Sequence, residues 1–260
     1  MTSEIPPNSA LHSVLRFSDR VANYVKYRPD YPREIIGFLE TKCGLTHETV
    51  IADVGCGTGI SSRVFLENCN RVIGVEPNAV MRAAAEEQLA EFPEFAAVDG
   101  TSDHTTLPDG AVDMVVVAQA FHWFDAEKTR PEFERILRPG GHIVLIWNER
   151  QLDTTPFLIE YEAFLIKYAY DYGNVRHENI HAEELSNFFQ KTYGSATFPN
   201  IQVFDFDGLK GRMLSASYMP NESDAVFPEM IEELRALFAK HAENGRIKVF
   251  YDTNVYHCQF

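Results

Sequence analysis

The sequence predicts an α/β fold with a doubly wound, mostly parallel sheet of seven strands covered by helices. The strand-like segments of the first half are apolar along their length, which is typical of parallel strands buried on both faces. Helix-like segments separate these strands, which favours one parallel sheet covered by helices on both faces. In order, the strand-like segments are TVIADVG, RVIGVEP, FAAVDG, VDMVVVAQA, HIVLIWNE, IQVFDF and IKVFYDTNVYHCQF.

Two helices are predicted before the first strand. One covers about 18–25, with Ser18 as its N-cap. The other covers 32–42, with proline in its first turn and Gly44 as its C-cap. The prolines of YRPDYP favour an extended connection between them. Residues 13–45 are therefore expected to form a helical lid.

Three helix-like segments lie between the strands, namely SSRVFLENC, AVMRAAAEEQLAEF and EKTRPEFERILRPGG. Further along, PFLIEYEAFLIKYAY places aromatic residues at helical spacing. We expect one domain over 1–260, with a ligand-binding core at 50–150, a helical insertion over the site at 151–200 and sheet-completing strands at 201–260.

Composition limits the partners that the protein can have. The sequence has 23 Lys and Arg residues and 38 Asp and Glu residues, which gives a formal net charge of −15. This charge argues against nucleic acid and anionic membranes as partners. The four cysteines form no C-x-x-C pair and have no histidine at zinc-ligand spacing, so we expect free thiols and no metal. Neither a secretory signal pattern nor a run of about 18 apolar residues is present, which predicts a cytoplasmic protein.

The motif DVGCGTG, from Asp53 to Gly59, directly follows the first predicted strand. A nicotinamide or flavin dinucleotide site uses G-x-G-x-x-G, and its third glycine would fall on Ile60. Asp53 would repel a pyrophosphate, but it suits a cationic ligand group. The glycines allow backbone groups to approach a ligand closely. An NAD- or FAD-dependent oxidoreductase is thus a disfavoured alternative.

Glu76 ends the second predicted strand, in RVIGVEPNAVM. An acidic residue at this place in a βαβ unit can accept hydrogen bonds from both hydroxyls of a ribose. Each such charge-assisted bond is worth about 1.5–3 kcal/mol. The two motifs together predict a ligand that has a cation near Asp53 and a ribose near Glu76.

These motifs resemble those of the class I S-adenosylmethionine-dependent methyltransferases. Over 50–150 the resemblance includes DVGCGTG, VEPN, LPDGAVDMVVVAQA and RILRPGGHIVLI, and AQAFHWFD is similar to the small-molecule branch that includes trans-aconitate methyltransferases. The resemblance implies a Rossmann-like methyltransferase fold, S-adenosylmethionine as cofactor, and methyl transfer to a small organic molecule, with a carboxylate as one candidate acceptor. A non-catalytic module that binds this cofactor is the remaining alternative.

The resemblance also implies residues for the cofactor. Asp53 and the glycine turn would hold the methionine end, Glu76 the ribose, and Pro77 with Met81 the adenine. GTSDHTTLP is one residue longer than the commonest spacing in the family, so the adenine amino group would meet either Thr101 with Ser102, which we prefer, or Asp103. The complete implied set is Tyr24, Arg28, Asp53, Gly55, Cys56, Gly57, Gly59, Glu76, Pro77, Met81, Thr101, Ser102 and Gln119.

Residues that would meet the acceptor follow from their place beside these motifs. His122 is the candidate catalytic base, although an ionised carboxylate acceptor would need none. Arginines can clamp an anionic acceptor through two parallel hydrogen bonds. The predicted acceptor residues are Tyr27, Tyr31, Trp123, Arg176 and Arg212. The expected partner is a small molecule, and either a monomer or a homodimer fits the sequence.

Overall fold

The computed structural model describes residues 21–170, 172, 182–216 and 218–260. One seven-stranded sheet forms its centre, with the strand order β3-β2-β1-β4-β5-β7-β6. The strands are β1 (Val50–Val54), β2 (Arg71–Val75), β3 (Phe95–Val98), β4 (Val112–Ala118), β5 (Leu137–Arg150), β6 (Gly194–Phe204) and β7 (Ile247–Gln259). Strands β1 to β5 pair in parallel, whereas β7 is antiparallel to β5 and to β6. The predicted doubly wound, mostly parallel sheet is confirmed.

Helices flank the sheet on both faces. They are α1 (Val21–Tyr27), α2 (Glu34–Cys43), α3 (Ile60–Glu67), α4 (Ala79–Gln88), α5 (Ala126–Ile136), α6 (Pro156–Tyr168), α7 (Ala182–Phe189), α8 (Phe206–Leu214) and α9 (Phe227–His241), together with a short 3₁₀ turn at Phe121–Trp123. The neighbours Ile51 and Ala52 on β1 belong to separate buried clusters. Because successive side chains of a strand point to opposite faces, β1 is buried on both sides, as its unbroken apolar sequence predicted.

Helix α2 ends where the sequence predicts. Gly44 adopts a left-handed conformation with φ 67°, and its N–H bonds to the carbonyl of Leu39. The helix begins at Glu34, two residues after the predicted start. The predicted N-cap Ser18 lies outside the described residues, and α1 is described from Val21 to Tyr27.

The second half differs from the sequence-based expectation in its element boundaries. Strand β6 begins at Gly194, seven residues before the IQVFDF segment, and its residues alternate between half-buried and exposed positions. An edge strand with this alternation has no continuous apolar run of the kind that predicted the inner strands, so its start was not recognised in the sequence. Helices α8 and α9 lie between β6 and β7, and the aromatic residues of α6 are buried in the cluster that these helices cover.

No helix within the described ranges is both long and apolar enough to cross a membrane. Nor do the described side chains include a group of three or more His, Cys, Asp or Glu residues arranged to hold a metal ion.

Candidate active site

A cavity of about 560 Å³ lies at the carboxyl ends of the parallel strands. Open parallel sheets bind their ligands at this edge, where loops from neighbouring strands meet. Most of the residues that the sequence nominates line it. These are Tyr24, Arg28, Tyr31, Gly55, Cys56, Gly57, Glu76, Pro77, Met81, Thr101, Ser102, Gln119, His122, Trp123 and Arg212.

The glycine turn between β1 and α3 requires its glycines for two physical reasons. Gly55, Gly57 and Gly59 all have positive φ, at 75°, 57° and 83°. A Cβ atom on Gly55 would also lie 2.7 Å from Cβ of Ala120, and one on Gly59 would lie 2.6 Å from Leu89. The turn therefore presents bare backbone at Gly55 and Gly57 to the cavity, while Gly59 packs against α4 and starts α3.

Asp53 lies beneath this turn and is 0% exposed. Its Oδ2 atom accepts hydrogen bonds from the hydroxyls of Ser61 at 2.7 Å and Ser62 at 2.6 Å. Its Oδ1 atom is buried and has no hydrogen-bond partner among the described residues. Burial raises the pKa of the Asp53 carboxyl to about 6, against the opposing effect of the two serine hydroxyls. Asp53 itself does not line the cavity, whereas Ser61 does.

Glu76 follows β2 and is 7% exposed. Its two carboxylate oxygens accept the backbone N–H groups of Gly57 at 3.0 Å and Asn78 at 2.9 Å. Burial raises the pKa of Glu76, and these two N–H groups oppose the rise. A carboxylate oxygen accepts more than one hydrogen bond, so both oxygens keep capacity on the side of the cavity.

The loop after β3 brings both candidate adenine contacts to the cavity wall, since Thr101, Ser102 and Asp103 all line it. Thr101 donates its hydroxyl to Oδ1 of Asp103 at 2.7 Å. Ser102 is buried and accepts the hydroxyl of Thr129 at 2.8 Å. Asp103 is exposed. The alignment with Thr101 and Ser102 would therefore place a buried hydroxyl near the adenine amino group, whereas the alignment with Asp103 would place an exposed carboxylate there.

The loop after β4 carries Gln119 and the 3₁₀ turn. Gln119 has a positive φ of 57°, which costs energy for a residue with a side chain, and its Nε2 donates to the carbonyl of Asn148 at 2.9 Å. The His122 ring centroid lies 4.5 Å from that of Trp123 and 5.4 Å from that of Trp147. His122 thus lies between two indole rings in the wall of the cavity.

Two arginines line the cavity from the side of α1 and α8. Arg28 Nη2 donates to the carbonyl of Ser215 at 3.2 Å, and its guanidinium stacks 4.7 Å from the Tyr24 ring centroid. Arg212 Nε donates to the Tyr251 hydroxyl at 3.2 Å. Protein atoms surround both guanidiniums, and the cavity leaves part of each accessible. Burial lowers the pKa of Arg28, and the nearby Arg212 lowers it further.

Besides Asp53, two described residues of the nominated set do not line the cavity. Tyr27 does not line the cavity, because its ring packs against α8, where a Cβ atom on Gly211 would overlap it. Gly59 packs against Leu89 on the side of the turn away from the cavity. Arg176 falls outside the described residues.

Sequence reasoning missed several residues of the cavity wall. Trp147, Asn148 and Arg150 end β5, and the rule that ligands bind at the carboxyl ends of parallel strands could have found them. Tyr172 and Tyr218 also line the cavity, but no local signal marks them, because tertiary packing brings them there.

Comparison with known proteins agrees with this geometry. Residues 52–145 match the family model of a methyltransferase domain. An uncharacterized methyltransferase of Mycobacterium tuberculosis is 37% identical over 136 residues, which span 52% of this chain and 53% of that protein. The chain thus aligns with about half the length of the mycobacterial relative. An uncharacterized methyltransferase-like protein of Schizosaccharomyces pombe is 31% identical over 242 residues, or 91% of this chain and 92% of that protein.

The chain belongs to the class I S-adenosylmethionine-dependent methyltransferase family. Solved structures share the fold of this methyltransferase. A structure from Anaeromyxobacter dehalogenans, described as a type II methyltransferase, superposes with a TM-score of 0.66 at 20% identity, over 90% of this chain and 98% of that one. A structure from Anabaena variabilis, described as a methyltransferase from an antibiotic biosynthesis pathway, gives a TM-score of 0.61 at 22% identity, with coverage of 90% and 98%.

The family implies S-adenosylmethionine as the methyl donor, and the described residues suit it. Among the described residues, the buried Oδ1 of Asp53 has no hydrogen-bond partner, so it is able to accept one from a cationic group of the ligand. Bare backbone at Gly57 leaves room that a side chain would fill, and the Glu76 oxygens retain acceptor capacity.

Proposed function

We propose that this methyltransferase transfers a methyl group to a small organic molecule that carries a carboxylate. The observation that carries this proposal is the pair of enclosed arginines, Arg28 and Arg212, in one cavity of an otherwise acidic chain. Neither takes part in an ion pair between described residues, whereas Arg150 in the same wall pairs with Glu162.

An enclosed guanidinium without a carboxylate partner is costly, because desolvation disfavours its charge and its N–H groups need acceptors. Arg28 illustrates the cost, since its Nε is buried and lacks a hydrogen-bond partner among the described residues. A bound carboxylate would supply both the charge and the acceptor oxygens. The methionine carboxylate of the donor can satisfy one arginine, and we assign Arg28 to it because Arg28 lies on the segment beside Tyr24 and Tyr31. Arg212 then remains for the acceptor.

The remaining contacts of the donor are proposed from the same wall. The Oδ1 atom of Asp53 would accept the methionine ammonium, and Glu76 would accept the ribose hydroxyls. Pro77 and Met81 would pack on the adenine, whose amino group would meet the loop at 101–103. Cys56 would contribute its backbone, because its buried thiol has a raised pKa and stays protonated.

When bound, the donor supplies a methyl group on a positively charged sulfur that leaves as a neutral thioether. The chain has to align the acceptor with that methyl group and exclude water. Gln119, His122 and Trp123 would form the wall beside the reacting atoms, and aromatic faces there attract a cation by about 0.5–2 kcal/mol. An acceptor carboxylate is already ionised at neutral pH. His122 would therefore pack against the acceptor and orient it without removing a proton.

The direct test is methyl transfer from methyl-labelled S-adenosylmethionine to aliphatic and aromatic carboxylic acids, with mass spectrometry of the products. We expect methylated product from carboxylic acids and none from their matched amides. Turnover of the amides at equal rates would contradict an anionic acceptor. Calorimetric titration with S-adenosylhomocysteine tests the donor site separately, and its failure would remove the assignments of Asp53 and Glu76.

A further inference from the structure

Residues 27–31 run from the last residue of α1 towards α2 and carry Arg28 and Tyr31 to the cavity wall. Three side-chain amides from the far half of the chain bind carbonyls of this segment. Asn200 Nδ2 and Asn148 Nδ2 donate to the Asp30 carbonyl at 2.7 and 3.2 Å. Gln202 Nε2 donates to the Tyr27 carbonyl at 3.1 Å.

We propose that Asn148, Asn200 and Gln202 form an amide clamp that positions Arg28 for an anionic ligand. These are positioning residues, because they act through the segment. The inference rests on the proposed function in one respect, namely that Arg28 binds the carboxylate of the donor. None of the three residues belongs to a sequence motif, and Asn200 and Gln202 do not line the cavity.

The orientation of each amide is fixed by a second hydrogen bond. The Oδ1 atom of Asn148 accepts the hydroxyl of Thr253 and, at 3.2 Å, Nδ2 of Asn200. The Oε1 atom of Gln202 accepts the hydroxyl of Tyr251 at 2.9 Å. Because each oxygen is held by a donor, the amide nitrogens of Asn148 and Gln202 must face the carbonyls of the segment.

The clamp also joins the segment to the other side of the cavity. Arg212 donates to the Tyr251 hydroxyl, which donates to Gln202, which in turn donates to the Tyr27 carbonyl. On β5, the Asn148 carbonyl accepts Nε2 of Gln119. Hydrogen bonds to the Tyr27 and Asp30 carbonyls therefore tie the segment that carries Arg28 to the residues that contact Arg212 and Gln119.

Arg28 has few other anchors that would keep it in place without the clamp. Among the described residues its guanidinium donates one hydrogen bond, to the Ser215 carbonyl, and lies over the Tyr24 ring. If the segment moved by about 1 Å, the two parallel bonds that a guanidinium makes with a carboxylate would be lost. The clamp should therefore affect ligand affinity more than the stability of the fold.

The test measures S-adenosylhomocysteine affinity by calorimetry in Gln202→Glu and Asn200→Ala. Glu at position 202 still accepts from Tyr251 but cannot donate to Tyr27, so it breaks the clamp bond and places a carboxylate oxygen against the Tyr27 carbonyl. We expect each variant to weaken binding about tenfold, the loss typical of one well-oriented hydrogen bond. In an Arg28→Lys background the same substitutions should change affinity less than twofold, because the group that they position is gone.

Thr197→Val is the matched control. It removes an exposed cross-strand bond to Asn254 on β6 and β7, the strands that carry Gln202 and Tyr251, without contact to the segment. It should leave affinity unchanged, and thermal melting should show all three variants folded at the titration temperature. Hydrogen exchange at the Arg28 amide, which donates to the Tyr24 carbonyl at 3.2 Å, should accelerate in the clamp variants only.

Wild-type affinity in Gln202→Glu and Asn200→Ala would overturn the clamp and leave the proposed function standing, as would equal losses in both Arg28 backgrounds. A wild-type chain that fails to bind S-adenosylhomocysteine would overturn the donor site and the clamp together.

Discussion

Gly57 donates its backbone N–H to Oε2 of Glu76 at 3.0 Å, which ties the glycine turn after β1 to the acidic residue after β2. The bond holds the carboxylate at the rim of the turn. Burial disfavours the ionised form of the Glu76 carboxyl. The hydrogen bonds from the N–H groups of Gly57 and Asn78 offset part of this desolvation cost. The glycine turn and Glu76 are therefore joined in one structural element.

Glu76→Ala should weaken S-adenosylhomocysteine binding by about 2–4 kcal/mol, because up to two charge-assisted bonds to the ribose disappear. Calorimetry provides the measurement. Glu86→Ala, an exposed acid on α4, is the control and should bind as the wild type does. Unchanged affinity in Glu76→Ala would remove Glu76 from the site.

Ligand affinity should depend on pH through Asp53. Its carboxyl pKa of about 6 means that it is protonated in weakly acidic solution, and only the ionised form attracts an ammonium group. S-adenosylhomocysteine should therefore bind more weakly below pH 6, by up to about tenfold per pH unit. Asp53→Asn should bind weakly and lose this dependence. A dependence that survives in Asp53→Asn would assign it to another group.

The same pKa predicts a stability effect of definite sign in the ligand-free chain. Asp53 holds its proton more tightly when folded than at its usual pKa of 3.8, so the folded state binds more protons between these values. Stability should fall as pH rises from about 4 to about 6, by at most about 1.4 kcal/mol per unit from this group. Urea denaturation across this range should show a flatter profile for Asp53→Asn than for the wild type.

Arg212→Gln should raise KM for a carboxylate acceptor by about 10- to 100-fold, because a charge-assisted contact is worth about 1.5–3 kcal/mol. Affinity for S-adenosylhomocysteine should stay within a few-fold. Arg235→Gln, an exposed arginine on α9, is the control. If Arg212→Gln weakened S-adenosylhomocysteine binding and left the KM for the acceptor unchanged, the assignments of Arg212 and Arg28 would have to be exchanged.

Gly55→Ala should destabilise the fold by about 3 kcal/mol or more, since it adds a clash at 2.7 Å from Ala120 to an unfavourable positive φ. Gly245→Ala isolates the backbone effect, because Gly245 has φ 72° and open space around its Cβ position. We expect it to cost only about 1–2 kcal/mol. Equal denaturation midpoints for the two variants would show that the turn relaxes around the added methyl group.

Much of the fold was predictable from local sequence. Strands β1, β2, β4 and β5 are recognisable because both faces of each are buried, so their sequences are continuously apolar. The start of β6 at Gly194 was not predictable from local sequence, because an edge strand with one exposed face has no continuous apolar run. Helix α2 was predicted to within two residues by a proline and a glycine that act through their own backbone geometry.

The sequence by itself determined where the residues of the proposed donor site lie, because Asp53, the glycine turn and Glu76 follow adjacent strands, and parallel strands bring those ends together. Only the tertiary structure decided how the cavity wall around Arg28 and Arg212 is assembled. Arg28 meets Ser215, and Tyr27 meets Gln202, across 187 and 175 residues of sequence. Contacts of that range follow from the packing of whole elements, and no local spacing encodes them.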